Sequence, residues 1–205
     1  QGLVYHGGMK AAAHPPTPSV PTGAAAHAAP AVAPLCVQAL GGFRVWRDGR
    51  LLDSAVWERD KALQLFQFLL IQGRRQLDKL QLVDRLWPEA EPEAADRDFK
   101  VALNAALKAL EPNRPARAEG RFIRRWGLRY GLDMDLLWVD AAAMEQAIAA
   151  ANACLPADEE GAIAGLRAAA ALYVGDFLPE RRYEDWASAE TERLQTLALG
   201  SMTRL

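Results

Sequence analysis

Six arginines crowd one short stretch, Arg114, Arg117, Arg121, Arg124, Arg125 and Arg129, against a single acid, Glu119. A guanidinium stays charged and offers a planar fork of donors suited to a phosphate or a narrow groove. The segment "GRFIRRWGLRYGL" alternates as a β-hairpin does. That puts Ile123, Tyr130 and Leu132 on an inward face and lets Arg124, Arg125 and Arg129 project, with the turn expected at Trp126-Gly127. A second set lies just upstream, in a helix expected over Glu93 to Leu110. At about 100° per residue, Phe99, Leu103, Ala106, Leu107 and Leu110 share one face. Arg97, Val101, Asn104 and Lys108 lie opposite, with Lys100 at the edge. Arginine and lysine read guanine or hold phosphate, and asparagine reads adenine. Taken alone, either set also reads as solvated surface. A basic hairpin directly after such a helix is poorly explained that way.

Catalytic chemistry is far less well provided for. All three histidines (His6, His14, His27) fall within the first 34 residues, so the remainder has neither an imidazole base nor a histidine-ligated zinc. Ser54, Ser188 and Ser201 therefore lack a partner for a triad. No glycine-rich phosphate loop of the GxxxxGK[ST] type is present. Cys36 and Cys154, far apart in sequence, suggest neither a disulfide framework nor a metal knuckle, and fit a reducing cytoplasm. The expectation is no enzyme, no cofactor and no metal. No apolar run approaches the length of a membrane span.

The elements that must position the basic residues follow in order. Residues 1–34 hold six prolines, ten alanines and no acid, the composition of a disordered linker. "LCVQALGGFRVWRDGRLL" turns at "GG" and "RDGR", giving three short antiparallel strands. Asp60 is expected to cap a helix ended by Gly73, and Asp78 a second ended before Pro88. Pro92 opens the third. The order is β-β-β-α-α-α-β-β. From Asp140 the chain turns alanine-rich, in three helical stretches of which the last is expected to run to Leu205. Charge is split as well. Residues 35–135 carry 18 Lys/Arg and 15 Asp/Glu, whereas residues 136–205 carry 5 and 11. Trp57, Trp87 and Trp138 lie at element boundaries as packing anchors, and Trp126 is expected to fold back over its hairpin.

Three helices followed by a basic hairpin is the winged-helix form of helix-turn-helix, with the third helix in the major groove and the hairpin on flanking backbone or minor groove. "LGGFRVWRDGR", "RDKALQLFQFLL", "LDKLQLVDRLWPE", "VALNAALKALEP", "RFIRR…YGL" and "LWVDA" occur in the same order as in the winged-helix half of SARP-type bacterial transcriptional regulators. "GLRAAAALYVGDFLPERRYEDWA" resembles their bacterial transcriptional activator domain. "LNAALKALEPNRP" is similar to the subgroup at the C-terminus of large regulators that also carry a nucleotide-hydrolysing module. The resemblance implies an α+β winged helix (OmpR-like) over residues 35–136 and an all-α, TPR-like helical domain over 137–205. It also implies sequence-specific DNA binding, for which the residues read from the helix face and the hairpin, Arg97, Lys100, Asn104, Lys108, Arg124, Arg125 and Arg129, are the candidates. Its candidate partners are double-stranded promoter DNA, RNA polymerase and a second copy of the chain, in a cytoplasmic, nucleoid-associated setting. Where many members have arginines near the end of the third helix, this chain has Ala105 and Leu107, which leaves more of the binding to the wing. The alternative is a protein-interaction module on a winged-helix scaffold that does not bind DNA.

Overall fold

The computed structural model describes residues 33–155 and 157–204. The linker expected over 1–34 therefore lies almost wholly outside the described residues. From Leu35 the chain forms β1 (Leu35–Gln38), β2 (Arg44–Arg47) and β3 (Arg50–Leu51), then α1 (Asp60–Gln72). β4 (Leu77–Asp78) leads into α2 (Lys79–Leu86) and α3 (Pro92–Leu110). The hairpin is β5 (Ile123–Trp126) and β6 (Arg129–Leu132), followed by β7 (Leu137–Val139). Three helices complete the chain: α4 (Asp140–Cys154), α5 (Glu159–Leu172) and α6 (Asp185–Met202).

Two sheets result, ordered β3-β2-β1-β7 and β4-β6-β5. β7 runs parallel to β1, with Leu35 opposite Leu137, so the main sheet is closed by a strand from beyond the wing. β4 pairs with β6, which makes the wing three-stranded. Neither strand figured in the expected order, because two or three residues are too few to show a period. In the wing Trp126 pairs with Arg129. The turn is thus Gly127-Leu128 rather than Trp126-Gly127. Gly127 takes φ +65°, which suits a residue without a Cβ in a two-residue turn.

The helix signals act much as expected, with two exceptions. Asp78 and Gln81 form a capping box at α2, where Gln81 Oε1 accepts from the Asp78 N–H at 3.0 Å. Gly73, at φ +56°, ends α1, and Pro92 is the first residue of α3. Asp60, however, is the first helical residue of α1 and Arg59 its N-cap. The Asp60 carboxylate is drawn instead to Arg181 and to Gln64 Nε2 at 2.7 Å. α6 ends at Met202, short of Leu205, in a turn where the Thr203 hydroxyl donates to Gly200 O at 3.0 Å.

The core is continuous from the main sheet to the helical half. Phe66 stacks on Trp57 at 5.3 Å, and Phe99 meets Trp87 edge-on at 6.3 Å and Tyr130 at 5.2 Å. Small residues set the helical half: a Cβ added to Gly165 of α5 would come within 3.0 Å of the Ala151 Cβ on α4. The halves join through backbone. Gly41 N donates to Asp176 O and Leu178 N to Ala39 O, both at 2.8 Å. Gly41 takes φ +71°, and a Cβ there would sit 3.0 Å from Val174 O, so the "GG" turn admits little else. At the same seam the buried Asp140 carboxylate accepts from Ala39 N at 2.8 Å, Leu40 N at 2.9 Å and Ala141 N at 2.8 Å.

Candidate nucleic-acid interface

α3 is held by its inner face. Ala95, Phe99, Ala102, Ala105, Ala106, Leu107, Ala109 and Leu110 are buried, which leaves Arg97, Lys100, Val101, Asn104 and Lys108 exposed. Leu103, expected in the core, is only partly buried because it borders an open cleft between α3 and the wing. That cleft, of ≈ 530 Å³, is also lined by Arg117, Arg124, Arg125 and Tyr130. Ala105 and Leu107 face inward, so an arginine at either position would have to be buried. Asp98, which the sequence reading passed over, is exposed at the edge of the same arc.

On the wing, Ile123, Tyr130 and Leu132 are buried while Arg124, Arg125 and Arg129 are exposed. Trp126 does lie back on its hairpin, its ring 3.3 Å from where a Cβ on Gly131 would sit, with the Arg124 guanidinium 5.4 Å above it. Arg124 Nη1 reaches Asp133 Oδ2 at 3.1 Å, and Arg129 Nε lies 3.5 Å from Asp78 Oδ1. Among the described residues Arg125 pairs with no carboxylate; its Nε donates to Gly127 O at 2.6 Å and its guanidinium lies 5.8 Å from the Tyr130 ring centre.

Two helices meet at Asp96. Lys79 of α2 and Lys100 of α3 both contact its carboxylate, Lys100 Nζ at 2.7 Å. Burial pushes the Lys79 ammonium below the usual lysine range, and the like charges of Lys100 and Arg125 push it further. α2 and α3 thus share one carboxylate between two lysines, while Arg124 and Arg125 of the wing line the cleft beside α3. Lys79 was missed in the sequence, although a signal existed: a lysine at the first position of a helix opposes the helix dipole. Lys108 is not brought to this cluster. It lies near the opposite end of α3, where its Nζ meets Glu58 Oε1 at 2.5 Å and holds that carboxyl below its ordinary pKa.

Residues 139–205 match the family model of the bacterial transcriptional activator domain (BTAD). The matched residues take in α4, α5 and α6. Among solved structures the chain is similar to Mycobacterium tuberculosis EmbR, determined in complex with a low-affinity phosphopeptide. The two share 19% identity at a TM-score of 0.69, over 83% of this chain and 44% of that one. At that identity the likeness is one of fold, and this chain spans less than half of that protein. A comparison with curated proteins returns no match. The family match falls on the segment where the sequence resemblance placed that domain, 137–205. Among the described residues no helix is long and apolar enough to cross a membrane.

Proposed function

We propose that this chain regulates transcription by binding double-stranded promoter DNA, with α3 in the major groove and the β5–β6 wing on the flanking backbone or minor groove. The observation that carries the reading is the exposed arc of Arg97, Lys100 and Asn104 on α3, with Arg124 and Arg125 of the wing across an open cleft from that helix. Cations held that way by a scaffold match a phosphate backbone better than scattered surface charges do. The helical half, with 5 basic and 11 acidic residues from Leu136 onward, is repelled by phosphate and faces away from the duplex. It is left to contact the transcription machinery or a second copy of the chain.

A second reading has an observation in its favour. Lys100, Lys108, Arg124 and Arg129 each have a carboxylate neighbour, as a scaffold that binds only proteins would arrange them. Gel-shift titration on the duplex upstream of the gene separates the two. A DNA binder loses affinity steeply as salt rises, through counterion release. Absence of a salt-dependent shift rejects the DNA reading.

A further inference from the structure

Resting on the DNA-binding reading, we infer that Val101 is a specificity-determining residue that recognises the C5-methyl of a thymine, next to an adenine read by Asn104. Val101 is 39% exposed, an apolar side chain on the otherwise polar outward arc of α3. Arg97 and Lys100 precede it on that arc and Asn104 follows, all exposed, with Asp98 at the edge. The inner face of the helix is filled by alanines, Phe99 and leucines, and Val101 is not among the buried residues. A β-branched residue in an exposed helix position is also a weaker helix former than alanine, lysine or glutamate. An apolar side chain so placed can meet an apolar group on a surface that docks against α3.

In the major groove the thymine methyl is the one apolar feature of a base edge, and adenine offers the N7 and N6 pair that an asparagine amide matches. Helix rise is about 1.5 Å per residue, so Val101 and Asn104 are about 4.5 Å apart along the axis and neighbours around it. Base steps repeat at about 3.4 Å. The two side chains therefore address base pairs one to two steps apart. The half-site of this chain then contains a thymine within two steps of an adenine, and the methyl of that thymine is part of what is read.

The experiment is a selection with the full chain from a random-sequence duplex pool, followed by thymine-to-deoxyuridine replacement at each position of the selected half-site. Each replacement removes a single methyl and leaves the hydrogen-bonding edge intact. One position should lose affinity by about fourfold, the equivalent of one buried CH₂-sized group. Val101→Ala should bind thymine and deoxyuridine alike at that position, while Val101→Thr, which keeps a γ-methyl, should retain the difference. Uniform tolerance of deoxyuridine overturns the inference, as does a sensitivity that Val101→Ala leaves unchanged. In either case salt-dependent binding leaves the DNA reading standing. If the pool yields no sequence and binding shows no salt dependence, both fall together.

Discussion

The two adjacent wing arginines are not equivalent, and the difference sets what each is worth to a duplex. Arg124 already shares its charge with Asp133 and lies over Trp126, whereas Arg125 has a backbone carbonyl and the Tyr130 ring beneath it but no acid among the described residues. A phosphate that approaches Arg124 competes with a carboxylate; one that approaches Arg125 does not. Arg125→Ala should therefore lower the salt slope of binding by ~1, and Arg124→Ala by less. An equal effect of the two would mean that Asp133 swings away in the complex. Asn104→Ala belongs to a different class, because an asparagine carries no charge to release counterions. It should cost ~1–3 kcal/mol on a selected site and spare random duplex. Equal losses on both would remove its base-reading role. Lys108, tied to Glu58 at the far end of α3, should change binding least of the seven residues first singled out.

At the scale of elements, the three helices of the winged helix were legible because each carries an apolar period and a recognisable boundary: Gly73 after α1, the break before Pro88 after α2, and Pro92 at the start of α3. The basic hairpin was legible by alternation alone. β4 and β7 were not, since their existence depends on partners far away in sequence, β6 and β1. Asp60 shows the same limit, because the competitor for its carboxylate, Arg181, lies on the other half of the chain. Asp140 lies at the joint these elements make, at the start of α4 just after β7. Burial raises its pKa from 3.8 to about 6, against the opposing pull of its backbone hydrogen bonds. Between those values the folded state holds a proton that the unfolded chain has released. This group's contribution to stability therefore rises as pH falls from about 7 to about 4 and is lost as pH climbs back. Asp140→Asn lacks the titration. Relative to that variant, the native chain should gain up to about 3 kcal/mol over this range. Urea unfolding of both proteins at the two pH values checks it, and a flat difference would mean the carboxylate is ionised throughout.

Across the whole molecule, the winged helix and the helical half are joined too closely to behave as beads on a string. Phe68 of α1 meets Trp186 of α6 edge-on at 5.7 Å. Gln67, fully buried on α1, donates to Glu180 Oε1 at 2.8 Å and accepts from Arg181 Nε at 2.8 Å, while the rest of the Arg181 guanidinium holds Asp60. These bonds cross from the segment before α6 to the helix at the centre of the winged helix. Removing Arg181 leaves a buried amide oxygen without a donor, a loss of about 1–3 kcal/mol. If the halves unfold as one unit, that loss is felt far from the seam. Hydrogen exchange at the Phe66 amide in α1 and the Leu166 amide in α5, taken at low denaturant, gives a free energy of opening for each half. The two values should agree in the native chain, and Arg181→Ala should lower both by the same amount. A fall at Leu166 alone would show that the helical half opens by itself, and that the position of the winged helix on DNA is not transmitted rigidly to it.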